Sequence, residues 1–353
     1  MITPRARAQA FCDRFGLRVP ILQAPMAGSC PPALAIAVAG AGGMGGAGAL
    51  MMDPAGIATW ARTVRAATNG AFQLNLWIPD PPPLRDPAAE ARMRDFLGHW
   101  GPIVPETAGD AVPADFAAQC EALLQAGPAV VSSIMGLYPA PFVAQLKQRG
   151  IAWFACVTTT VEAREAAAAG ADALVVQGVE AGGHRGSFDP AAAERQSATL
   201  FALLPQIADQ TDLPLIATGG IADGRGVAAA LVLGASAVQI GTALLRSPEA
   251  DIAPAWAAAL AEAATRGTVQ TRAFSGRLGR SLGTAYTLAP NAPPPEPYPV
   301  QRGLTTAMRA AAQQADDVER MQAWAGMGAA MARAAPAADI VQTLWEDAQR
   351  LLP

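Results

Sequence analysis

The string QGVEAGGHRG, residues 177–186, carries the residue types best suited to chemistry. Its adjacent glycines, Gly182 and Gly183, let the backbone approach a flat ligand closely, because glycine lacks a side chain. His184 follows at once, and a neutral imidazole can accept a proton at physiological pH. We therefore take His184 as the candidate general base beside a planar ligand. The spacing leaves open a plain glycine turn with an exposed histidine.

Two further glycine turns are candidate phosphate sites. Gly219 and Gly220 lie in ATGGIADGRG, and Gly241 and Thr242 lie in QIGTALL. Backbone N–H groups at the start of a helix bind anions, and a turn of this kind leaves such groups free. Two tight strand-to-helix turns without a ligand would give the same pattern, so both interpretations stay open.

Other candidates lie in QAPMAG, LNLWIP and TRAFSGRLGRS. A buried amide such as that of Asn75 must be hydrogen-bonded, either to the edge of an isoalloxazine ring or more simply to backbone. Met26 alone would indicate core packing. The third motif contains Arg272, Arg277 and Arg280. It predicts a solvated basic turn, or an anion-facing segment if it folds over the site.

Eight short apolar runs predict the strands that position these residues. Strands buried on both faces are nearly continuous apolar runs, and here they alternate with alanine-rich helical stretches. Eight such units indicate a parallel (β/α)8 barrel rather than an open doubly wound sheet, with its site at the carboxyl ends of the strands. The predicted strands are residues 21–26, 44–50, 72–78, 129–135, 152–157, 173–178, 214–220 and 237–241.

The predicted organisation is a barrel with an appendage. Residues 1–250 form the barrel, and the proline-rich segment 79–113 is an excursion over its mouth. After Pro248 the strand pattern stops, and helical stretches are predicted at 254–265, 304–315, 317–334 and 338–351. Residues 251–353 are therefore expected to form a mainly helical cap on the substrate side, with its last helices returning to the barrel.

Composition argues against several classes of protein. The net charge is −4, 15% of residues are charged and no Lys/Arg run occurs, so a nucleic-acid partner is not expected. Residues 19–52 are uncharged, but their glycines and prolines break them into strand and helix, so no membrane partner is expected. The four widely spaced cysteines indicate neither disulfides nor a metal site. Without a signal-like start, a cytoplasmic location is expected.

The motifs together resemble the nitronate monooxygenases, formerly called 2-nitropropane dioxygenases, and in particular their first class. The matching strings occur in order: QAPMAG, AGGMGGAGAL, LNLWIP, QGVEAGGHRG, ATGGIADGRG, QIGTALLRSPEA, TRAFSGR, YPVQ and WAG. The most specific are EAGGHRG and TRAFSGR. The resemblance implies non-covalent FMN, no metal, and oxidation of alkyl nitronates, in some members also nitroalkanes, by O2 to a carbonyl compound and nitrite.

The resemblance also implies roles for individual residues. His184 would be the catalytic base. Because a neutral nitroalkane must first lose a proton from carbon, we expect its rate to rise with pH through an imidazole-like pKa. Tyr298 and Arg277 are predicted on the substrate side. The implied FMN contacts are Asn75, Gln177, Gly182, Gly220, Gln239, Ile240, Gly241 and Thr242, to which position at the barrel mouth adds Met26, Gly183 and Gly219.

Some positions depart from the family pattern. The family more often has TRAFSGRPARG and WAGQG, so Leu278, Gly279 and Met327 are expected to alter the substrate pocket.

Flavin-dependent enoyl-acyl-carrier-protein reductases share the EAGGH loop but typically have GTRF where this chain has GTAL. A non-catalytic flavin-binding barrel is the other alternative, since fold does not decide function. The protein is expected to be a monomer or a homodimer.

Overall fold

Eight parallel strands form the centre of the molecule, which is a computed structural model that describes residues 2–353. The sheet closes between its first two strands, where Met44 N–H donates to Ile21 O over 3.0 Å. Each strand lies within one of the predicted runs, so the (β/α)8 barrel is confirmed. The barrel strands are β1 Ile21–Gln23, β2 Gly45–Gly48, β3 Phe72–Trp77, β4 Val130–Ile134, β5 Ala152–Val157, β6 Ala173–Gln177, β8 Leu215–Thr218 and β9 Ala237–Ile240; β7, Gly183–His184, lies outside the barrel.

Helices surround the barrel and build the cap, and they bury apolar side chains against their neighbours. In α3, Asp53 caps the first turn by accepting from Gly56 N–H over 2.7 Å, and Ile57, Trp60 and Val64 face the strands. The helices are α1 Pro4–Phe15, α2 Pro32–Gly40, α3 Pro54–Ala67, α4 Pro87–Leu97, α5 Phe116–Ala126, α6 Ala140–Gln148, α7 Thr160–Ala168, α8 Leu200–Ala208, α9 Gly224–Val232, α10 Pro254–Ala261, α11 Ala263–Arg266, α12 Val300–Leu304, α13 Thr306–Gln314 and α14 Ala337–Leu351. None of the helices within residues 2–353 is long and apolar enough to cross a membrane.

Helix α1 packs on the amino end of the barrel. Phe11 and Phe15 lie against Phe154 of β5, with ring centroids 6.1 and 5.2 Å apart respectively. These side chains continue the apolar filling of the barrel, which includes Leu22 and Ile216. Because this end is filled, a ligand can enter only at the carboxyl ends of the strands.

The carboxyl-terminal part departs from the prediction in two places. Strands β10, Thr268–Thr271, and β11, Gly279–Leu282, form an antiparallel hairpin, so the expectation that strands stop after Pro248 is wrong. The helix predicted at 317–334 is also wrong, because this segment consists of turns and a short 3₁₀ helix, Ala329–Met331. Its glycines press against the barrel loops: a Cβ on Gly326 would lie 2.7 Å from Glu180 O. That tertiary contact outweighs the helical propensity of the alanines.

The other predicted cap stretches are helical. Residues 254–265 contain α10 and α11, residues 304–315 contain α13, and residues 338–351 lie in α14. Helix α14 shares the barrel's hydrophobic core, with Val341 and Leu344 buried beside Leu231 of α9. The excursion, residues 79–113, packs on the cap, since Met93 and Leu97 of α4 lie in one cluster with Met308 of α13.

Candidate active site

A cavity of about 460 Å³ opens at the carboxyl ends of the barrel strands. This volume is within the usual range for small-molecule and cofactor sites, roughly 300–1,000 Å³. Ile240, Arg277 and Tyr298 do not line it. The predicted residues that do are Met26, Asn75, Gln177, Gly182, Gly183, His184, Gly219, Gly220, Gln239, Gly241 and Thr242.

The loop that carries His184 is held from two sides. On the barrel side, the Gln177 side chain donates to His184 O over 3.0 Å and accepts from Gly186 N–H over 2.8 Å. On the cap side, β7 pairs antiparallel with β11, which places His184 opposite Gly279. The Gln177 amide therefore holds the loop in addition to lining the cavity.

The imidazole of His184 is packed between aromatic rings and bonded through one nitrogen. The centroids of Trp77 and Trp324 lie 4.6 and 4.7 Å from that of His184, both edge-on. Nε2 lies 2.7 Å from Ser275 Oγ, which itself donates to Arg277 O over 3.4 Å. In the tautomer in which Nε2–H donates to Ser275, the Ser275 hydroxyl keeps its own bond to that carbonyl. Nδ1, which has no hydrogen-bond partner within residues 2–353, then carries the free lone pair.

His184 is a neutral imidazole in this site. The pKa of His184 is lowered from 6.5 to about 3, mainly by burial and then by the guanidinium groups of Arg302, Arg277 and Arg309 in that order. A proton on His184 would be both poorly solvated and repelled. The structure therefore disagrees with the expected imidazole-like pKa, because neither the burial of this ring nor the charges of three arginines from distant parts of the chain can be read from the local sequence.

The two glycine turns present unpaired backbone donors. Gly219 and Gly220 have φ angles of 120° and 72°, which side chains rarely adopt. Within residues 2–353, the N–H groups of Gly219, Gly220, Gly241 and Thr242 form no hydrogen bond with the protein. Backbone N–H groups in folded proteins are nearly always hydrogen-bonded, and free N–H groups at a turn before a helix can bind an anion. This arrangement therefore fits a phosphate group.

Two amides present opposite groups to the cavity. Asn75 donates through Nδ2 to Ser132 Oγ over 3.1 Å, so its carbonyl oxygen is left for a ligand. Gln239 accepts through Oε1 from Gln73 Nε2 over 3.0 Å, so its NH₂ group is left for a ligand. The edge of an isoalloxazine ring needs both an acceptor and a donor. Together with the free N–H groups at the turns, the residues present therefore fit a flavin mononucleotide.

The remaining candidates act around the cavity. Arg277 is buried and forms a two-bond ion pair with Asp80 at the start of the excursion, with Nε–Oδ2 at 2.8 Å. Tyr298 packs behind Trp77, with ring centroids 5.3 Å apart. Arg272 pairs with Glu194, and Arg280 donates to Val179 O. These three arginines hold segments together, and none of them lines the cavity.

The positions that depart from the family pattern are spread over the cap. Leu278 is buried, and its carbonyl accepts from Arg185 N–H over 2.8 Å. Gly279 lies against Trp324, where an added Cβ would be 2.9 Å from the ring. Met327 is exposed and does not line the cavity. Of the three, Gly279 is the one that bears on the site, because it makes room for Trp324 beside His184.

Several site residues were missed from the sequence. Trp77 and Trp324 contact His184, Ser275 bonds to it, and Arg302 and Arg309 line the cavity. The first three lie inside strings already singled out, LNLWIP, WAG and TRAFSGR, and Arg302 directly follows YPVQ. Only Arg309 stands outside such a string, and no local pattern distinguishes it from a solvated helix residue.

Comparison with known proteins gives a consistent result. A model of the nitronate monooxygenase family matches residues 9–347. The chain belongs to the nitronate monooxygenase family. The nitronate monooxygenase of Paraburkholderia phytofirmans is 40% identical, with 97% of this chain and 96% of that protein covered. The nitronate monooxygenase of Pseudomonas aeruginosa is 39% identical, with 95% of this chain and 99% of that protein covered.

Solved structures extend the comparison to the fold. A nitroalkane oxidase from Streptomyces ansochromogenes superimposes with a TM-score of 0.87 at 35% identity, covering 97% of this chain and 98% of that one. FabK from Thermotoga maritima superimposes with a TM-score of 0.75 at 26% identity, covering 97% and 96%. As a member of the nitronate monooxygenase family, a family of flavin enzymes, the protein is an oxidoreductase with a (β/α)8 barrel.

Proposed function

We propose that this protein binds FMN at the barrel mouth and oxidises alkyl nitronates with O2 to a carbonyl compound and nitrite. The observation that carries the proposal is the place of His184: a neutral base with a free nitrogen lies in the wall of a cavity whose donors and acceptors fit a flavin. Neutral nitroalkanes are further substrates in this proposal, since the base can remove their proton.

Residues near the carboxyl ends of five strands would hold the cofactor. The free N–H groups of Gly219, Gly220, Gly241 and Thr242 would bind the phosphate. Asn75 and Gln239 would bond to the ring edge, and Met26, Gly182 and Gly183 would border it. Bound FMN would accept electrons from the substrate and pass them to O2.

The charge of the cavity suits the nitronate form of a substrate. Arg302 and Arg309 line the cavity, and neither lies within 4.0 Å of a carboxylate among the described residues. A nitronate is an anion, so these cations attract it. For a neutral nitroalkane, Nδ1 of His184 would take the proton from the carbon beside the nitro group. The same cations would stabilise the negative charge that then develops.

The cofactor and the reaction can be tested together. Acid release from the purified holoenzyme should give FMN. Anaerobic mixing with propionate 3-nitronate should bleach the flavin, and anaerobic mixing with NADPH should leave it oxidised. Release of FAD would contradict the cofactor assignment. Bleaching by NADPH alone would instead support a nicotinamide-dependent reductase of the kind that shares the EAGGH loop, and would overturn the proposal.

The lowered pKa of His184 predicts an unusual pH profile. We expect the rate on a neutral nitroalkane to show no ascending limb between about pH 5 and pH 8, because an imidazole with a pKa of about 3 stays unprotonated there. Replacing Arg302 with methionine removes one of the charges that lower this pKa, so the limb should move to higher pH. Initial rates on freshly dissolved nitroethane measure both. A wild-type limb centred near the ordinary histidine pKa, roughly 6.5, would contradict the prediction.

A further inference from the structure

Three glutamines cluster inside the barrel beneath the cavity. Gln23 of β1 and Gln73 of β3 are fully buried, and Gln239 of β9 is 7% exposed. Gln239 lines the cavity, whereas Gln23 and Gln73 do not. Glutamine is an uncommon choice for a barrel interior that branched apolar residues usually fill, so these side chains call for an explanation other than packing.

The Gln73 amide has one possible orientation. Its Nε2 donates to Gln23 O over 2.9 Å and to Gln239 Oε1 over 3.0 Å, so both amide hydrogens are used. Exchanging oxygen and nitrogen would set the Gln73 oxygen against two other oxygens. Its Oε1 has no partner among the described residues. A buried acceptor without a partner lowers the stability of the fold, so space filling alone does not explain this glutamine.

The orientation of Gln73 in turn fixes that of Gln239. Because Oε1 of Gln239 faces Gln73, the NH₂ group of Gln239 is the part left to face the cavity. Without Gln73, either end of the Gln239 amide could turn to the cavity, and a flavin would meet a donor in some molecules and an acceptor in others.

We propose that Gln73 is a positioning residue that holds the Gln239 amide with its donor toward the flavin ring. The proposal rests on the FMN binding proposed above. A flavin ring gains negative charge when it accepts electrons, and a fixed N–H donor at its edge stabilises that charge. Gln73 should therefore raise the reduction potential of the bound flavin and strengthen its binding, although it touches neither flavin nor substrate.

A double-mutant cycle tests this role. Gln73→Met keeps the side-chain volume and removes the bond to Gln239. It should shift the flavin midpoint potential to a more negative value and weaken FMN binding by about 3–10-fold, the equivalent of one hydrogen bond. Gln239→Met should cause a change at least as large. In the Gln239→Met background, Gln73→Met should add nothing, because it acts through Gln239.

A matched control separates positioning from stability. Gln23 is a buried neighbour whose Oε1 accepts from Gly46 N–H over 3.1 Å and does not bond to Gln239. Gln23→Met should lower the melting temperature and leave the flavin potential unchanged. If Gln73→Met does not fold, Gln73→Asn, which keeps an amide but is too short to reach Gln239, takes its place.

The possible outcomes distinguish this inference from the proposed function. A wild-type potential and FMN affinity in the Gln73 variant, or effects of the two substitutions that simply add, would overturn the positioning role and leave the proposed function intact. A wild-type protein that does not bind FMN at all would overturn the proposed function itself.

Discussion

Replacing His184 with asparagine should lower the rate on a neutral nitroalkane by about 10²–10⁴-fold, the usual effect of removing a general base. Asparagine keeps a polar side chain of similar size but cannot accept the proton from carbon. A nitronate arrives already deprotonated, so its turnover should fall much less. Steady-state rates on nitroethane and on its nitronate, measured with the FMN-loaded variant, give the two effects.

The second histidine provides the control for that experiment. His99 is exposed at the end of α4 and does not line the cavity. His99→Asn should therefore leave both rates at the wild-type value. If the His184 variant folds, binds FMN and turns over both substrates like the wild type, His184 is not the base, and the mechanism proposed for nitroalkanes is wrong.

Replacing Gly220 with valine should weaken FMN binding by about 10–100-fold, because a residue held in a sparsely populated backbone conformation costs energy that binding must overcome. The φ angle of Gly220 is +72°, and an added Cβ would lie 3.1 Å from Glu180 Cβ. A backbone shift that relieves the positive φ angle or the close contact with Glu180 turns the Gly220 N–H group away from the proposed phosphate position. Fluorescence titration of the apoprotein with FMN measures the loss.

Gly267 offers a glycine with a matching φ angle for comparison. Its φ angle is +73°, an added Cβ would meet no atom within 4 Å, and it does not line the cavity. Gly267→Val also places a side chain at a positive φ angle, so it should lower the melting temperature and leave the FMN affinity unchanged. Wild-type affinity in the Gly220 variant would show that the phosphate is bound elsewhere. Equal losses in both variants would show a global effect.

The barrel could be predicted because each of its strands has a recognisable apolar pattern within a few consecutive residues. A strand such as β5, Ala152–Val157, is buried along nearly its whole length and reads as a short apolar run in the sequence. Once eight such runs are counted, the barrel places every strand end at one mouth, which is why Asn75, His184 and Gly220 meet in one cavity. Ile240 is an exception within this scheme, since it is buried in the hydrophobic core beside the cavity residue Gln239.

The rest of the site depends on contacts between distant parts of the chain. Arg277 pairs with Asp80, 197 residues away, and the sequence contains nothing that links the two. Strand β10 is short and partly exposed, so its pattern is weak. Trp324 lies in a segment rich in alanine, whose helical propensity is overridden where Gly326 N–H donates to Thr242 Oγ1 over 3.0 Å. Local patterns could not show any of these pairings.

The pairing of β7 with β11 has a consequence for how the active protein forms. His184 lies on the loop that follows barrel strand β6, but its partner Ser275 follows 91 residues later, so the proposed base is oriented only when the hairpin has docked. Contacts of such long sequence separation form late in folding, because the loop must close first. During synthesis from the amino terminus, the barrel strands leave the ribosome before this hairpin. A nascent chain could thus form the turns proposed to bind phosphate well before its proposed base is in place for proton transfer.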